Sequence, residues 1–280
     1  MRNLFTNHFV SIPHERFTLV LFSDVHYGVK ACDTDRFKWM IKKTSALENP
    51  YYLGVGDYQD FASYSTNKKL AEGQLHETED EWIDTQMAKQ TRELAEIMAP
   101  MKGRIWGLIG GNHQYRMQNG KMTDEYLCEL LDTKYLGWLS VIKVLFPSCA
   151  GVDQMLSVFA CHGKQGGKLL GTSLNAVVDM AQIIPNADIY VQGHDHQRMA
   201  VPKSVMMIKT VNNENKFKLQ QRRQYFCRSG SFQKSYAVNT SGFAQARLMK
   251  PSDLGSIYLN ISTHRNYDPH EVILDIEATI

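Results

Sequence analysis

Five short apolar runs in this chain end on residues that can bind metal or move protons. FTLVLF (17–22) is followed by Ser23, Asp24, Val25 and His26, and YYLGVG (51–56) by Asp57 and, three residues on, Asp60. RIWGLIG (104–110) leads into Gly111, Asn112, His113 and Gln114. MLSVFAC (155–161) runs into His162, and ADIYVQG (187–193) into His194, Asp195 and His196. A single polar residue after a strand is ordinarily a turn former or a helix cap. Turn chemistry, however, gives no reason to choose imidazole repeatedly, and five of the ten histidines lie in these blocks. Carboxylate oxygen, amide oxygen and imidazole nitrogen without thiolate suit manganese, iron or zinc better than a soft-metal cluster. Cys161, beside His162, is expected to be a buried, inert thiol, because neighbouring side chains of a strand point to opposite faces.

These residues lie far apart in sequence, so a fold must bring them together. The alternation of apolar runs with helical stretches predicts an α/β protein. Besides the five runs above, strands are expected at QYFCRSG (224–230) and SIYLNIS (256–262). Helices are expected over 35–48, 79–98, 123–131 and 168–184, with Pro100 and Pro185 as stops. Residues 198–223 read as a hairpin with a polar tip, VNNENK. In open α/β sheets the ligand crevice lies outside the carboxyl ends of the strands, which is where the five polar blocks fall.

The ordered set Asp24/His26, Gly56/Asp57, Gly111/Asn112/His113, His162 and Gly193/His194/His196 resembles the calcineurin-like metallophosphoesterases. Their pattern of D-x-H, G-D, G-N-H, a lone H and G-H-x-H is complete over residues 17–197, and CRSGS (227–231) is similar to the family's later glycine-serine turn. The resemblance implies a metallophosphoesterase-type sandwich of two mixed β-sheets flanked by helices, formed by residues 1–280 as a single domain. It implies two divalent ions, manganese first and iron or zinc as alternatives. Asp24, His26 and His196 would hold one ion, Asn112, His162 and His194 the other, and Asp57 would bridge them. Such a pair lowers the pKa of a shared water, giving a hydroxide nucleophile, and holds phosphoryl oxygens for in-line displacement. His113 resembles the family histidine that protonates the leaving oxygen. Gln114 departs from the acid that usually follows it, and Asp60 resembles the second aspartate of G-D-x-x-D that orients the histidine; a helix cap is the other reading of Asp60. Asp195 is expected to be an exposed or structural turn carboxylate.

The same stretches set this chain apart from protein serine/threonine phosphatases, whose Asp-Arg-Gly is replaced by DF at 60–61. A phosphoprotein phosphatase is therefore disfavoured, and the expected activity, from a weaker resemblance to the family's DNA-repair exonuclease branch and from the basic segment that follows His196, is hydrolysis of a phosphodiester in DNA. A small nucleotide or other small phosphorylated molecule is the alternative substrate. Between Arg198 and Lys234 nine Lys/Arg stand against one acid, a local +8 that could form a basic rim rewarded by phosphate-rich polymers. Lys164 and Lys168 in GKQGGKLLG, together with Arg198, are the candidate substrate-binding residues, and Tyr225, Phe226, Phe232 and Tyr236 are candidates for base stacking. Eight acids against two bases between Glu72 and Glu96 give −6, read as a helical acidic insertion near 63–100 that covers one edge of the site or contacts another subunit.

Composition sets the outer limits. A hydrophobic content of 43% over 280 residues is enough to bury a large core. The longest apolar stretches, such as 17–22 and 141–146, fall short of the roughly 20 residues of a membrane span, so no membrane partner is expected. The N-terminal segment has no long apolar run and no small-residue cleavage site. Five cysteines without a CxxC pair suit free thiols in a reducing compartment, and a cytoplasmic protein is expected. Oligomeric state is not legible.

Overall fold

The computed structural model describes residues 6–60, 77–147, 155–164, 167, 169–211, 216–236, 250–265 and 272–280. Two mixed β-sheets stack face to face and carry helices on their outer faces, an α/β sandwich. Strands are β1 (Thr6–Ser11), β2 (Arg16–Phe22), β3 (Pro50–Gly54), β4 (Ile105–Leu108), β5 (Leu139–Leu145), β6 (Leu156–Cys161), β7 (Ile189–Gln192), β8 (Arg198–Val211), β9 (Lys216–Ser229), β10 (Ile257–Arg265) and β11 (Val272–Thr279). One sheet runs β1-β5-β6-β7-β9-β8 and the other β11-β10-β2-β3-β4.

The period-two alternation of strands explains the layering. Leu19, Leu21, Leu53 and Val55 face inward from one sheet and meet Val158, Ala160, Ile189 and Val191 of the other in the central core. The residues between them point outward. Val20, Phe22, Tyr52 and Leu108 pack under helices α1 (Thr34–Ser45), α2 (Glu77–Met98) and α3 (Thr123–Leu131). On the far side Phe159, Cys161, Tyr190 and Phe226 pack under α4 (Leu170–Val178) and the one-turn α5 (Met180–Ile183). Burial pushes the Cys161 thiol up to about 11, so it behaves as the inert core residue expected.

All seven expected strands form, β8 forms as the first arm of the expected hairpin, and three further strands, β1, β5 and β11, join them. β1 and β11 are edge strands whose side chains are mostly exposed, which removes the apolar signal. β5 alternates buried and half-buried residues, a period-two pattern in which Lys143 interrupts the apolar run. The helix expected over 168–184 is two pieces divided at Asp179. The hairpin of 198–223 extends to Ser229, because β9 continues from the ribbon into the sheet beside β7. Of the acidic stretch near 63–100, residues 61–76 lie outside the described residues. The rest is α2, which packs into the core beneath the β2-β3-β4 sheet through Leu94, Ala95 and Met98. Among the described residues no helix is long and apolar enough to cross a membrane.

Candidate metal centre

Parallel pairing of β2, β3 and β4 in one sheet, and of β6 and β7 in the other, places five strand ends at one end of the sandwich. Backbone hydrogen bonds then stitch the loops across the gap. Asp24 N donates to Gly56 O at 3.0 Å and His26 N to Asp57 O at 3.1 Å. His194 N donates to Asp24 Oδ2 at 2.9 Å, and His113 N to Asp57 Oδ1 at 3.0 Å. Each buried carboxylate thus has one oxygen fixed by backbone amides of another loop and the other left for the centre.

Two triads result. The ligand atoms of Asp24, His26 and His196 lie within 4.8 Å of one another, as do those of Asp57, His162 and His194. In the first, His196 Nε2 is 3.3 Å from Asp24 Oδ1 and 3.2 Å from His26 Nε2. In the second, His162 Nε2 is 3.0 Å from Asp57 Oδ2, 3.0 Å from Asn112 Oδ1 and 3.1 Å from His194 Nδ1. Asp57 Oδ2 also lies 3.9 Å from His26 Nε2, which puts this carboxylate between the triads.

The outer partners orient the rings. His162 Nδ1 donates to the Val55 carbonyl at 2.7 Å, so its Nε2 lone pair faces inward. Asp60 Oδ2 stands 3.2 Å from His26 Nδ1, with the same consequence, and the Ser252 hydroxyl lies 3.3 Å from His196 Nδ1. Lone pairs of imidazoles, carboxylates and an amide therefore converge with few protons between them, and Asp24 Oδ1 is fully buried with no hydrogen-bond partner. Such an arrangement requires positive charge at its middle. In the metal-free protein protons supply it. Burial would lower His26 and His162, but hydrogen bonds and the charges of Asp24, Asp57 and Asp60 raise them to about 10 and about 9. Burial would raise Asp57, yet the opposing charges of His162 and His26 bring it down to about 2. Replacing those protons by divalent cations satisfies the same carboxylates, so these buried clusters could hold metal ions.

The backbone is strained where the ligands sit. Among the described residues seven non-glycine positions have positive φ, and five are Asp24, His26, Asp57, His194 and His196. Glycine is required beside them for a different reason. A Cβ at Gly111 would lie 2.1 Å from Asp57 N and Oδ1, and one at Gly56 (φ +96°) 2.4 Å from His162 Nδ1.

His113 sits at the edge of the centre, with Nε2 3.9 Å from Asp57 Oδ2 and Nδ1 3.0 Å from Asp60 Oδ1. That last contact is within ion-pair distance. Asp60 touches both His26 and His113; the helix it was alternatively expected to cap would begin after it, outside the described residues. Burial would raise its carboxyl, but hydrogen bonds and charge from the two histidines hold it well below the usual carboxylate range. Gln114 turns away and accepts from Tyr135 Oη at 3.4 Å.

The candidate substrate residues fare differently. Lys164 is exposed and its carbonyl accepts from Arg228 Nη1 at 3.4 Å, whereas Lys168 lies outside the described residues. Arg198, on β8, has Nη2 3.2 Å from Asp253. Several cations of the +8 stretch are likewise engaged: Arg222 with Asp188, Lys234 with Asp33 at 2.8 Å, and Arg228 fully buried on backbone carbonyls. Tyr225, Phe226 and Phe232 are core residues, which corrects the stacking role considered for them; Tyr236 alone of that group is exposed. Asp195 is buried rather than exposed, paired with Lys250 at 3.1 Å.

Sequence reasoning passed over Ser252, Lys250 and Asp124. Ser252 lies more than 50 residues beyond the ligand His196, and Lys250 equally far beyond Asp195, the turn carboxylate between His194 and His196. Asp124, read as a first-turn acid of α3, also accepts the Gly111 amide at 3.1 Å beneath the Asn112–His113 turn. No protein-family model matches the chain, and no curated protein matches it.

Proposed function

We propose that this protein is a metal-dependent phosphoester hydrolase of the calcineurin-like metallophosphoesterase type, acting on phosphodiesters of DNA. The observation that supports it best is the pair of ligand triads sharing Asp57, with His113 and Asp60 at their edge. Divalent cations held by Asp24, His26 and His196, and by Asn112, His162 and His194, with manganese the favoured ion, would polarise phosphoryl oxygens and acidify a water nucleophile. Asp57 turns its Oδ2 to both triads while its Oδ1 accepts from the His113 amide. In this reading His113 would hand a proton to the departing oxygen from Nε2, with Asp60 beside its Nδ1 at 3.0 Å to orient the ring. The strained loops and buried carboxylates keep these atoms in place before substrate arrives.

A small phosphorylated substrate is the second reading, favoured by the engagement of Arg198, Arg222, Arg228 and Lys234 within the fold, which thins the basic surface available to a polymer. The deciding experiment is cleavage of end-labelled single-stranded DNA by manganese-loaded protein, with Asp57→Ala as control. Cleavage by the wild type alone supports the nuclease. Absence of cleavage, with bis(4-nitrophenyl) phosphate still hydrolysed, transfers the proposal to a small substrate.

A further inference from the structure

The inward face of the six-stranded sheet continues past the residues that the other sheet covers. Tyr225 and Cys227 on β9 and Ala200 on β8 pack in the central core, and the Tyr225 hydroxyl donates to the Ile276 carbonyl of β11. The pairing of β9 with β7 spans only Tyr225 to Arg228. From Lys203↔Gln224 to Val211↔Lys216, nine residue pairs therefore form a ribbon of two strands, with β8 as the sheet edge. Period two carries the inward face along this ribbon through Met206 and Ile208 on β8 and through Leu219 and Phe217 on β9. Ile208 and Leu219 are direct cross-strand partners, Met206 stands two residues from them toward the base, and Phe217 two residues toward the tip. All four are between 61% and 73% exposed, so the ribbon has a core-type face without a second layer.

A two-stranded ribbon alone is marginally stable in water and needs another layer on its apolar side. We infer that this face is the contact between two copies of the chain, each ribbon supplying the layer that the other lacks. At about 200 Å² for a fully exposed side chain of this size, the four residues present roughly 500 Å². Two copies packed face to face then bury about 1,000 Å², which reaches the size of a specific interface. A two-fold axis through the Ile208–Leu219 pair sets each patch on its own mate, an isologous arrangement. Charge does not oppose the contact. Lys203 and Arg222 belong to the opposite face by register, Arg222 turned to Asp188, and Arg223 stands at the base of the apolar face, opposite Ser204. A nucleic acid would require cations along the exposed face, where Arg223 is the one charged side chain among the described residues.

Sedimentation equilibrium of the full chain at concentrations up to about 100 µM tests the contact, since that range reaches the weak end of specific association. The wild type should show twice the 32.0 kDa mass of the single chain. Ile208→Lys combined with Leu219→Lys should raise the dissociation constant at least about 100-fold, and the milder Phe217→Ser about 10-fold. Trp82→Lys, at an exposed indole on α2, should leave the dimer intact. A cooperative thermal transition in each variant separates a lost contact from a lost fold. A wild type that stays monomeric over the whole range, or a dimer that withstands both ribbon variants, overturns the contact.

Discussion

Replacing Asp60 by asparagine separates two jobs that the structure gives to one carboxylate. The side chain is nearly isosteric, so it removes charge while leaving volume. One oxygen stands 3.2 Å from His26 Nδ1 and the other 3.0 Å from His113 Nδ1. Through His26, the loss acts on a metal ligand from outside, and outer partners of that kind are worth about 10- to 100-fold in metal affinity. Through His113, it removes the anion that stabilises an imidazolium, and a general acid contributes about 10²- to 10⁴-fold in rate. The two effects part when the metal is saturating and the leaving group is varied. A 4-nitrophenolate leaves as a stable anion and needs no proton, whereas the alkoxide of a dinucleotide does. At saturating manganese, Asp60→Asn should therefore lower kcat for the dinucleotide at least 10-fold more than for bis(4-nitrophenyl) phosphate. Equal losses on the two substrates would show that Asp60 acts on the metal alone, and would refute the proton-donor arrangement proposed for His113.

Other outcomes follow from the same geometry. Adding manganese to metal-free protein at 100-fold over its Kd should stabilise the fold by about 2.7 kcal/mol, a rise of about 5 °C in Tm that Asp57→Ala should greatly reduce. Gly111→Ala should abolish metal binding while leaving every ligand residue in the chain, because the new methyl would collide with Asp57 N and Oδ1 and displace that carboxylate; isothermal titration with manganese reads this. Burial pushes the Asp124 carboxyl up to about 7 against the lowering effect of the Gly111 amide bond, with the charge of Asp57 adding to the rise. A raised folded pKa contributes stability that is complete below the ordinary carboxylate range and is lost as pH climbs through about 7. Metal-free wild type should thus lose about 3 kcal/mol between pH 5 and pH 8 from this group, and Asp124→Asn should flatten that slope in urea denaturation. A slope unchanged in the variant would refute the assignment.

How much of this was legible in the sequence depended on whether a residue's role is local. Strand ends are local features: an apolar run that stops on Asp24, Asp57 or His194 announces both the strand and its polar terminus, and parallel pairing then brings the ends together. The helix over 123–131 was equally legible, since Asp124 and Glu125 mark its first turn and Glu125 accepts the Met122 amide at 2.9 Å. Roles that belong to three-dimensional neighbours were not. Nothing near Ser252 in sequence says that its hydroxyl will meet His196, and the Val55 carbonyl that orients His162 has no side-chain signature at all. The basic count over 198–234 misled for the same reason, because charge in sequence does not disclose that Arg228 will be buried on the carbonyls of Ser173 and Gly193.

The strain at the centre gives the placement of these residues a physical meaning beyond their types. A non-glycine residue in the left-handed region costs about 1 kcal/mol, and five ligand positions adopt it within one cluster. The same cluster keeps Asp24 Oδ1 fully buried, 3.3 Å from His196 Nε2, so that this carboxylate depends on positive charge beside it. A fold seeking stability alone would relieve both by turning the side chains outward or placing glycine and apolar residues at the strand ends. Here the cores on either side of each sheet are large enough to hold the loops against that relief, with Leu21, Phe22, Leu53 and Val55 fully buried immediately before the strained residues. Rigid strands anchor the loops, and the loops hold lone pairs that repel one another until a cation or a proton enters. The cost is therefore concentrated where cation binding would relieve it, which couples metal affinity to the integrity of the β2 and β3 strand ends rather than to the ligand side chains alone.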